Sequence, residues 1–153
     1  FNSPGQVVIA GHKAAVERAG ILCKDAGAKR VLPLPVSVPS HCALMKDAAD
    51  KLAVELDKIT FNPSAINVVN NVDVSIETSS DAIKIALIKQ LYSPVRWSET
   101  ITKLSNNGIT TVVEAGPGKV LQGLIKRIDK SMTCVGINTT DSLTHTVEQV
   151  SAL

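Results

Sequence analysis

The chain has 153 residues, 44% of them apolar, which is enough to bury one core of ordinary size beside a small subdomain. Its 16 lysines and arginines against 14 acidic residues give a formal charge of +2, too close to neutral for the broad basic surface of a nucleic-acid-binding protein. No apolar stretch approaches the roughly 18 residues of a spanning helix and no signal peptide precedes them, so we expect a cytoplasmic protein without nucleic-acid or membrane partners.

The three cysteines, Cys23, Cys42 and Cys134, are widely spaced and form no C-x-x-C motif. An odd number at such spacing predicts neither a disulfide framework nor a metal site. We therefore expect reduced thiols and no bound metal.

The first predicted elements are a strand at 7–10 and a helix that Gly11 introduces and Gly27 ends. Residues 29–38 form a β-branched run whose prolines cannot donate to a β-ladder, which favours an edge strand or an exit segment. This run leads to Ser40 and His41, after which helical spacing predicts a long amphipathic helix. His41 is thus placed at a strand-to-helix junction.

The remaining predicted elements alternate between strands and helices. A strand is predicted at 65–72, a helix through 83–91 that Pro94 ends, and a helix carrying Trp97, Ile101 and Leu104. Further strands are predicted at 109–115 and 132–137, with a helix after residue 118 and a closing helix at 141–152. Such alternation predicts an α/β fold with mostly parallel strands.

Catalytic groups in α/β sheets collect after the carboxyl ends of strands, and three segments occupy such positions. They are Ser40–Cys42, Asn70–Asn71 and Glu114–Gly118. The position of His41 fits a catalytic base and a helix-start histidine bound to the backbone equally well. His12 and His145 fit structural positions at a helix start and on a helix face.

Each of these segments also has a structural interpretation. Ser40 or Cys42 could be a nucleophile activated by His41, but adjacent side chains usually point apart, so we expect Ser40 to cap the following helix. The turn Gly116-Pro117-Gly118 could bind an anion at a helix N-terminus, although a tight structural turn is the simpler interpretation.

Four segments, in this order, run the length of the chain: FNSPGQVVIAG at 1–11, LPVSVPSHCALM at 34–45, QLYSPVRW at 90–97 and EAGPGKVL at 114–121. Together they resemble the malonyl-CoA:acyl carrier protein transacylases of bacterial type II fatty-acid synthesis. The resemblance implies that residues 1–37 end a ferredoxin-like small subdomain and that 38–153 are the C-terminal part of an α/β-hydrolase-like large domain.

The resemblance also implies an acyltransferase that moves malonyl from malonyl-CoA to the phosphopantetheine thiol of acyl carrier protein. The coenzyme A thioester is a substrate, and no cofactor is implied. His41 matches the family's general acid-base, oriented by the backbone carbonyl of Gln90, and Asn2 matches an asparagine in the active-site cleft. Because acyl carrier proteins are acidic, Lys29 and Arg30 are candidates for docking, with solvated surface charge as the alternative.

The family's G-H-S-x-G nucleophile motif, its malonate-binding arginine and its oxyanion-loop glutamine do not occur in these residues. The chain begins at Phe1 without an initiator methionine, and we expect these groups upstream, so that the acyl-serine forms outside this chain. Two alternatives stay open: an acyltransferase segment of a polyketide synthase, and a non-catalytic α/β binding module.

Overall fold

The computed structural model of the chain describes residues 1–62 and 64–152. Within them lie the helices α1 (Lys13–Asp25), α2 (Lys46–Leu56), α3 (Ser80–Tyr92), α4 (Trp97–Asn106), α5 (Val120–Ile128) and α6 (Thr140–Ser151), a 3-10 turn (Ala43–Met45), and the strands β1 (Thr111–Ala115) and β2 (Thr133–Ile137). None of the helices in this part of the chain is both long and apolar enough to cross a membrane. The mixture of helices with parallel strands confirms the α/β class.

The described residues form two compact units, one of residues 1–7 with 96–153 and one of residues 8–95. The predicted division at residue 37 concerns the subdomains of a whole enzyme and stays a prediction.

The first unit is built around a β-α-β arrangement. Strands β1 and β2 pair in parallel, with Thr111 opposite Thr133 and Ala115 opposite Ile137, and α5 connects them. The apolar spacing predicted for α4 and α5 has the expected consequence, because both helices turn their apolar faces into one core. Its buried members are Ile101, Ile125 and Met132, and its partly buried members are Trp97, Leu104, Val112, Ile128 and Cys134.

The second unit is helical, with α2 packed against α3. Buried apolar side chains come from α2 (Ala49, Leu56) and from the loop before α3 (Val72, Val74). Gly27 ends α1 as predicted: its φ is +96°, its N–H donates to the Lys24 carbonyl, and the Ala28 N–H donates to the Cys23 carbonyl. This pair of bonds is the Schellman arrangement, which requires a left-handed residue.

The strands predicted at 7–10 and 65–72 are wrong, and of the two alternatives predicted for 29–38, an edge strand or an exit segment, the edge strand is wrong. Residues 7–10 and 29–38 are irregular backbone, and within 65–72 only Val69 forms an isolated antiparallel bridge, to Ile76. A strand exists only where a neighbour accepts and donates its backbone hydrogen bonds, and apart from the Val69 bridge the described residues supply no such neighbour for these segments. Prolines at 33 and 35 remove two further donors from the second segment.

Apolar side chains in α1 and along 31–38 are exposed. None of the side chains of α1, all of which the structure describes, is buried, and Leu22 in this helix is 66% exposed. Along 31–38, Val36 is 71% exposed. The helix predicted between Gly11 and Gly27 is therefore confirmed, but its apolar side chains are not buried.

Candidate active site

His41 lies in the turn between the irregular segment 29–38 and the 3-10 turn that leads into α2. Its φ is +61°, in the left-handed region that residues with a Cβ rarely adopt. Strained backbone of this kind persists where surrounding contacts fix it, and it concentrates at functional sites.

Two carbonyl groups at the end of α3 hold His41. Its imidazole Nδ1 lies 2.9 Å from the Gln90 carbonyl oxygen, and its backbone N–H donates to the Leu91 carbonyl at 3.0 Å. The last carbonyls of a helix have no partner within the helix and are available to accept such bonds. The structure thus contains the hydrogen bond predicted from the resemblance, while the catalytic role of His41 stays a prediction.

The Gln90 contact also fixes the tautomer of the imidazole. A carbonyl oxygen can only accept, so Nδ1 carries the proton and Nε2 carries the lone pair. Because the residue is exposed, Nε2 can take a proton from another group. Chemically, an imidazole held in this way can act as a general base that main chain, rather than a carboxylate, orients.

The end of α3 is itself tied to α2. The Lys46 ammonium lies 4.7 Å from the centre of the Tyr92 ring and is hydrogen-bonded to Asp50 at 2.8 Å. The bond to Asp50 raises the pKa of Lys46 because it favours the charged form. The helix that begins just after His41 therefore contacts the helix end whose carbonyls orient it.

The predicted cap at Ser40 is wrong. The helical segment begins two residues later, with Cys42 in the capping position of the 3-10 turn, and Ser40 is exposed within the preceding turn. Ser40 donates its backbone N–H to the Val38 carbonyl at 2.9 Å, which closes that turn locally. The Cys42 thiol donates to the Pro39 carbonyl at 3.1 Å and is directed into the turn.

The second candidate segment, Asn70–Asn71, is a structural turn. The Asn70 side-chain oxygen accepts from the backbone N–H groups of Val72 and Asp73, and its amide donates to the Ser75 hydroxyl at 2.9 Å. Val74 in this turn has a φ of +55°. The polar capacity of Asn70 is used within its own loop.

The third candidate segment is a turn with a cap that the sequence did not reveal. Gly116 and Gly118 have φ values of +139° and +91°, which supports the turn interpretation. The Glu114 carboxylate accepts from the backbone N–H groups of Leu121 at 3.0 Å and Gln122 at 3.1 Å. The anion at the N-terminus of α5 is therefore the chain's own, and the external-anion hypothesis loses its support.

The other candidates occupy surface or terminal positions. Asn2 is half-buried, and its N–H donates to the Gln6 carbonyl at 3.1 Å; its part in a cleft stays a prediction. Lys29 and Arg30 are exposed in the second unit. His12 occupies the N-cap position of α1, the predicted helix start, without a side-chain cap bond, and His145 lies on α6 beside a depression of about 290 Å³ at the carboxyl end of β2.

A family model described as an acyl transferase domain matches residues 1–150. The chain belongs to this family. The match covers both compact units and includes the turn that carries His41.

Relatives within the family are close in sequence and backbone. The malonyl CoA-acyl carrier protein transacylase of Escherichia coli K12 is 62% identical over 148 residues, which are 97% of this chain and 48% of the relative. A solved malonyl-transacylase in complex with a type II polyketide synthase acyl carrier protein is 60% identical, with a TM-score of 0.95 over 97% of this chain and 48% of that one.

An acyl carrier protein S-malonyltransferase from Vibrio cholerae is 62% identical, with a TM-score of 0.92 over 95% of this chain and 48% of that one. The chain thus spans about half the length of the relatives it matches.

Proposed function

We propose that the chain carries the general acid-base of a malonyl-CoA:acyl carrier protein transacylase that acts in fatty acid biosynthesis. The observation that carries the proposal is the His41 imidazole, held at Nδ1 by the Gln90 carbonyl in a strained turn and presenting Nε2. We take the substrates from the names of the close relatives: malonyl-CoA is the donor and an acyl carrier protein is the acceptor.

In the proposed mechanism Nε2 of His41 removes the hydroxyl proton of a serine outside this chain as the serine oxygen attacks the malonyl thioester. The C–S bond then breaks, the coenzyme A sulfur receives the proton from Nε2, and malonyl-serine remains. In the second half the same nitrogen takes the proton of the carrier's phosphopantetheine thiol and returns it to serine oxygen as the new thioester forms. Over the two halves the serine regains its proton and the malonyl group passes from one thiol to the other, and neither step uses a resident cofactor.

The finer description of the fold follows the same proposal. Residues 38–153 would belong to an α/β-hydrolase-like domain and residues 1–37 to a ferredoxin-like subdomain, in a cytoplasmic enzyme. A carrier protein from polyketide synthesis is the second candidate acceptor, because one solved relative is bound to such a carrier.

The test uses a hybrid enzyme, defined as residues 1–153 joined to the part of the Escherichia coli relative that they do not match. We expect the folded hybrid to form a malonyl adduct on one serine, detected by intact mass, and to transfer it to acyl carrier protein. The His41→Ala hybrid is the matched control and should form little adduct.

The 153-residue chain alone is the second control. It should form no adduct, because none of its serines occurs in a G-x-S-x-G motif. A folded hybrid that binds malonyl-CoA without acylation would favour the non-catalytic module, and an adduct on Ser40 or Cys42 of the chain alone would contradict the proposed division of labour.

A further inference from the structure

We propose that Cys42 is a positioning residue whose thiol holds the turn that presents His41. The inference rests on the proposed function of His41, but it concerns a residue that the mechanism does not use. It starts from the bond that the Cys42 Sγ–H donates to the Pro39 carbonyl at 3.1 Å.

This bond spans the residue whose backbone is strained. Pro39 and Cys42 are the first and last residues of a four-residue segment, and His41, with its φ of +61°, lies inside it. Left-handed backbone is unfavourable for a residue with a Cβ, so the segment would relax unless contacts on both sides fixed it. The thiol supplies a contact from the segment itself.

The other contacts that fix the turn act at different points. The His41 N–H and Nδ1 anchor the turn to the end of α3, and the Met45 N–H donates to the Cys42 carbonyl at 3.0 Å to start the 3-10 turn. Without the thiol bond, Cys42 would still begin the 3-10 turn through its carbonyl. The direction in which the chain enters His41 from Pro39 would no longer be fixed by a side chain.

The geometry separates this role from nucleophilic catalysis. Cys42 occupies the capping position of the 3-10 turn, where a side-chain oxygen ordinarily accepts a bond from the N–H groups ahead of it. A thiol is a weak acceptor, and here it donates backward to a carbonyl instead. The half-buried sulfur is directed into its own turn, where it donates to the Pro39 carbonyl.

The test compares Cys42→Ala with Cys42→Ser in the hybrid enzyme. Ala removes the donor, and loss of one net hydrogen bond predicts a fall in kcat of about threefold to tenfold with the KM for malonyl-CoA unchanged. Ser keeps a donor of similar reach and should retain kcat within about twofold of the original. Equal kcat for all three proteins would overturn the proposal, and so would an equal loss in Ser and Ala.

Cys134→Ala is the matched control. Its half-buried thiol also faces a nearby carbonyl, that of Met132 at 3.9 Å, but it lies in β2, in the other compact unit. We expect its kcat to match that of the unchanged hybrid. A loss equal to that of Cys42→Ala would show a general effect of thiol removal and contradict positioning.

A readout independent of activity keeps the inference separate from the proposed function. Hydrogen exchange at the His41 amide, which donates to the Leu91 carbonyl, should accelerate by about threefold to tenfold in Cys42→Ala and not in Cys42→Ser or Cys134→Ala. If the hybrid transfers no malonyl yet shows this pattern, the proposed function fails and the positioning role stands. Unchanged exchange in Cys42→Ala overturns the positioning role whatever the activity.

If Cys42→Ala does not fold, Cys42→Thr and Cys42→Val replace the pair. The two side chains have the same shape, only Thr carries a donor, and the φ of −141° at residue 42 accepts either. Thr should then exceed Val in kcat and in protection of the His41 amide, and equality of the two contradicts the proposal.

Discussion

At the scale of single residues, the candidate base is oriented by the main chain. Nδ1 of His41 is held by the Gln90 carbonyl, so the side chain at position 90 takes no part in the contact. A main-chain acceptor cannot be removed by a side-chain substitution, and it carries no charge that titrates. Substitution of His41 should therefore lower the rate of malonyl transfer much more than substitution of Gln90.

We predict that His41→Ala lowers the rate of malonyl transfer in the hybrid enzyme about a hundredfold or more, because the serine loses its general base. Gln90→Ala should retain much of the activity, since the carbonyl remains. Steady-state transfer to acyl carrier protein measures both. Near-normal turnover of His41→Ala would contradict the assignment of the base.

At the scale of elements, α5 depends on a carboxylate from the preceding strand. Glu114 in β1 accepts two of the backbone N–H groups at the start of α5, where an anion also interacts favourably with the helix dipole. The residue in the capping position, Lys119, makes no side-chain cap bond. The link is thus the main described cap of this helix and ties β1 to α5.

We predict that Glu114→Ala lowers the free energy of unfolding by about 1–2 kcal/mol, the usual loss for a charged helix cap. Glu17→Ala, an exposed glutamate within α1, is the matched control and should change it by less than about 0.5 kcal/mol. Denaturant unfolding of the hybrid measures both. Equal losses would show that the carboxylate does not act as a cap.

A second carboxylate links elements of the first unit. Asp129, just after α5, accepts from the Ser105 hydroxyl in α4 and from the hydroxyl and backbone N–H of Ser131. These bonds, that from Ser105 foremost, lower the pKa of Asp129 because they favour its charged form. A pKa lowered on folding contributes stability above the unfolded value of about 3.9.

We predict that Asp129→Asn lowers the melting temperature at neutral pH. The difference from the original protein should shrink as the pH falls from about 4 through the folded pKa of Asp129, where the carboxylate becomes protonated in both states. Thermal unfolding of the hybrid between pH 7 and pH 2 checks this. Asp25→Asn, an exposed aspartate at the end of α1, serves as control, and a difference that does not depend on pH would contradict the linkage.

At the scale of the whole molecule, the small net charge of +2 makes local placement of charge more important than its total. Lys29 and Arg30 are adjacent, exposed cations that follow α1. An acidic carrier protein would be attracted to such a pair. Charge at the rim of an interface acts mainly on association and is screened by salt.

We predict that Lys29→Glu with Arg30→Glu raises the KM for acyl carrier protein several-fold at low salt and leaves the KM for malonyl-CoA unchanged. The double reversal Lys13→Glu with Arg18→Glu on α1 changes net charge equally and is the control. Steady-state kinetics at two salt concentrations measures the effect. An equal shift from both pairs, or for both substrates, would assign the effect to net charge.

The sequence by itself determined the elements whose bonds are local. The helical spacing of Ile101 and Leu104 placed α4 against the core, and Gly27 marked the end of α1. The apolar runs predicted as strands at 109–115 and 132–137 contain β1 and β2, although their pairing with each other is not local. Helices and their caps bond within a few residues, so their pattern can be read from the chain. Segment order also identified the family, and the match across 1–150 confirms it.

Only the tertiary structure decided which segments pair as strands and which distant residues contact each other. The runs at 7–10, 29–38 and 65–72 have strand composition, but a ladder needs a neighbouring strand, and the described residues provide none. The same holds for the site: spacing left His41 undecided between structure and catalysis, because its partner Gln90 lies 49 residues away in sequence. Contacts between distant segments, like the Glu114 cap on α5, have no period in the sequence and are fixed only when the chain folds.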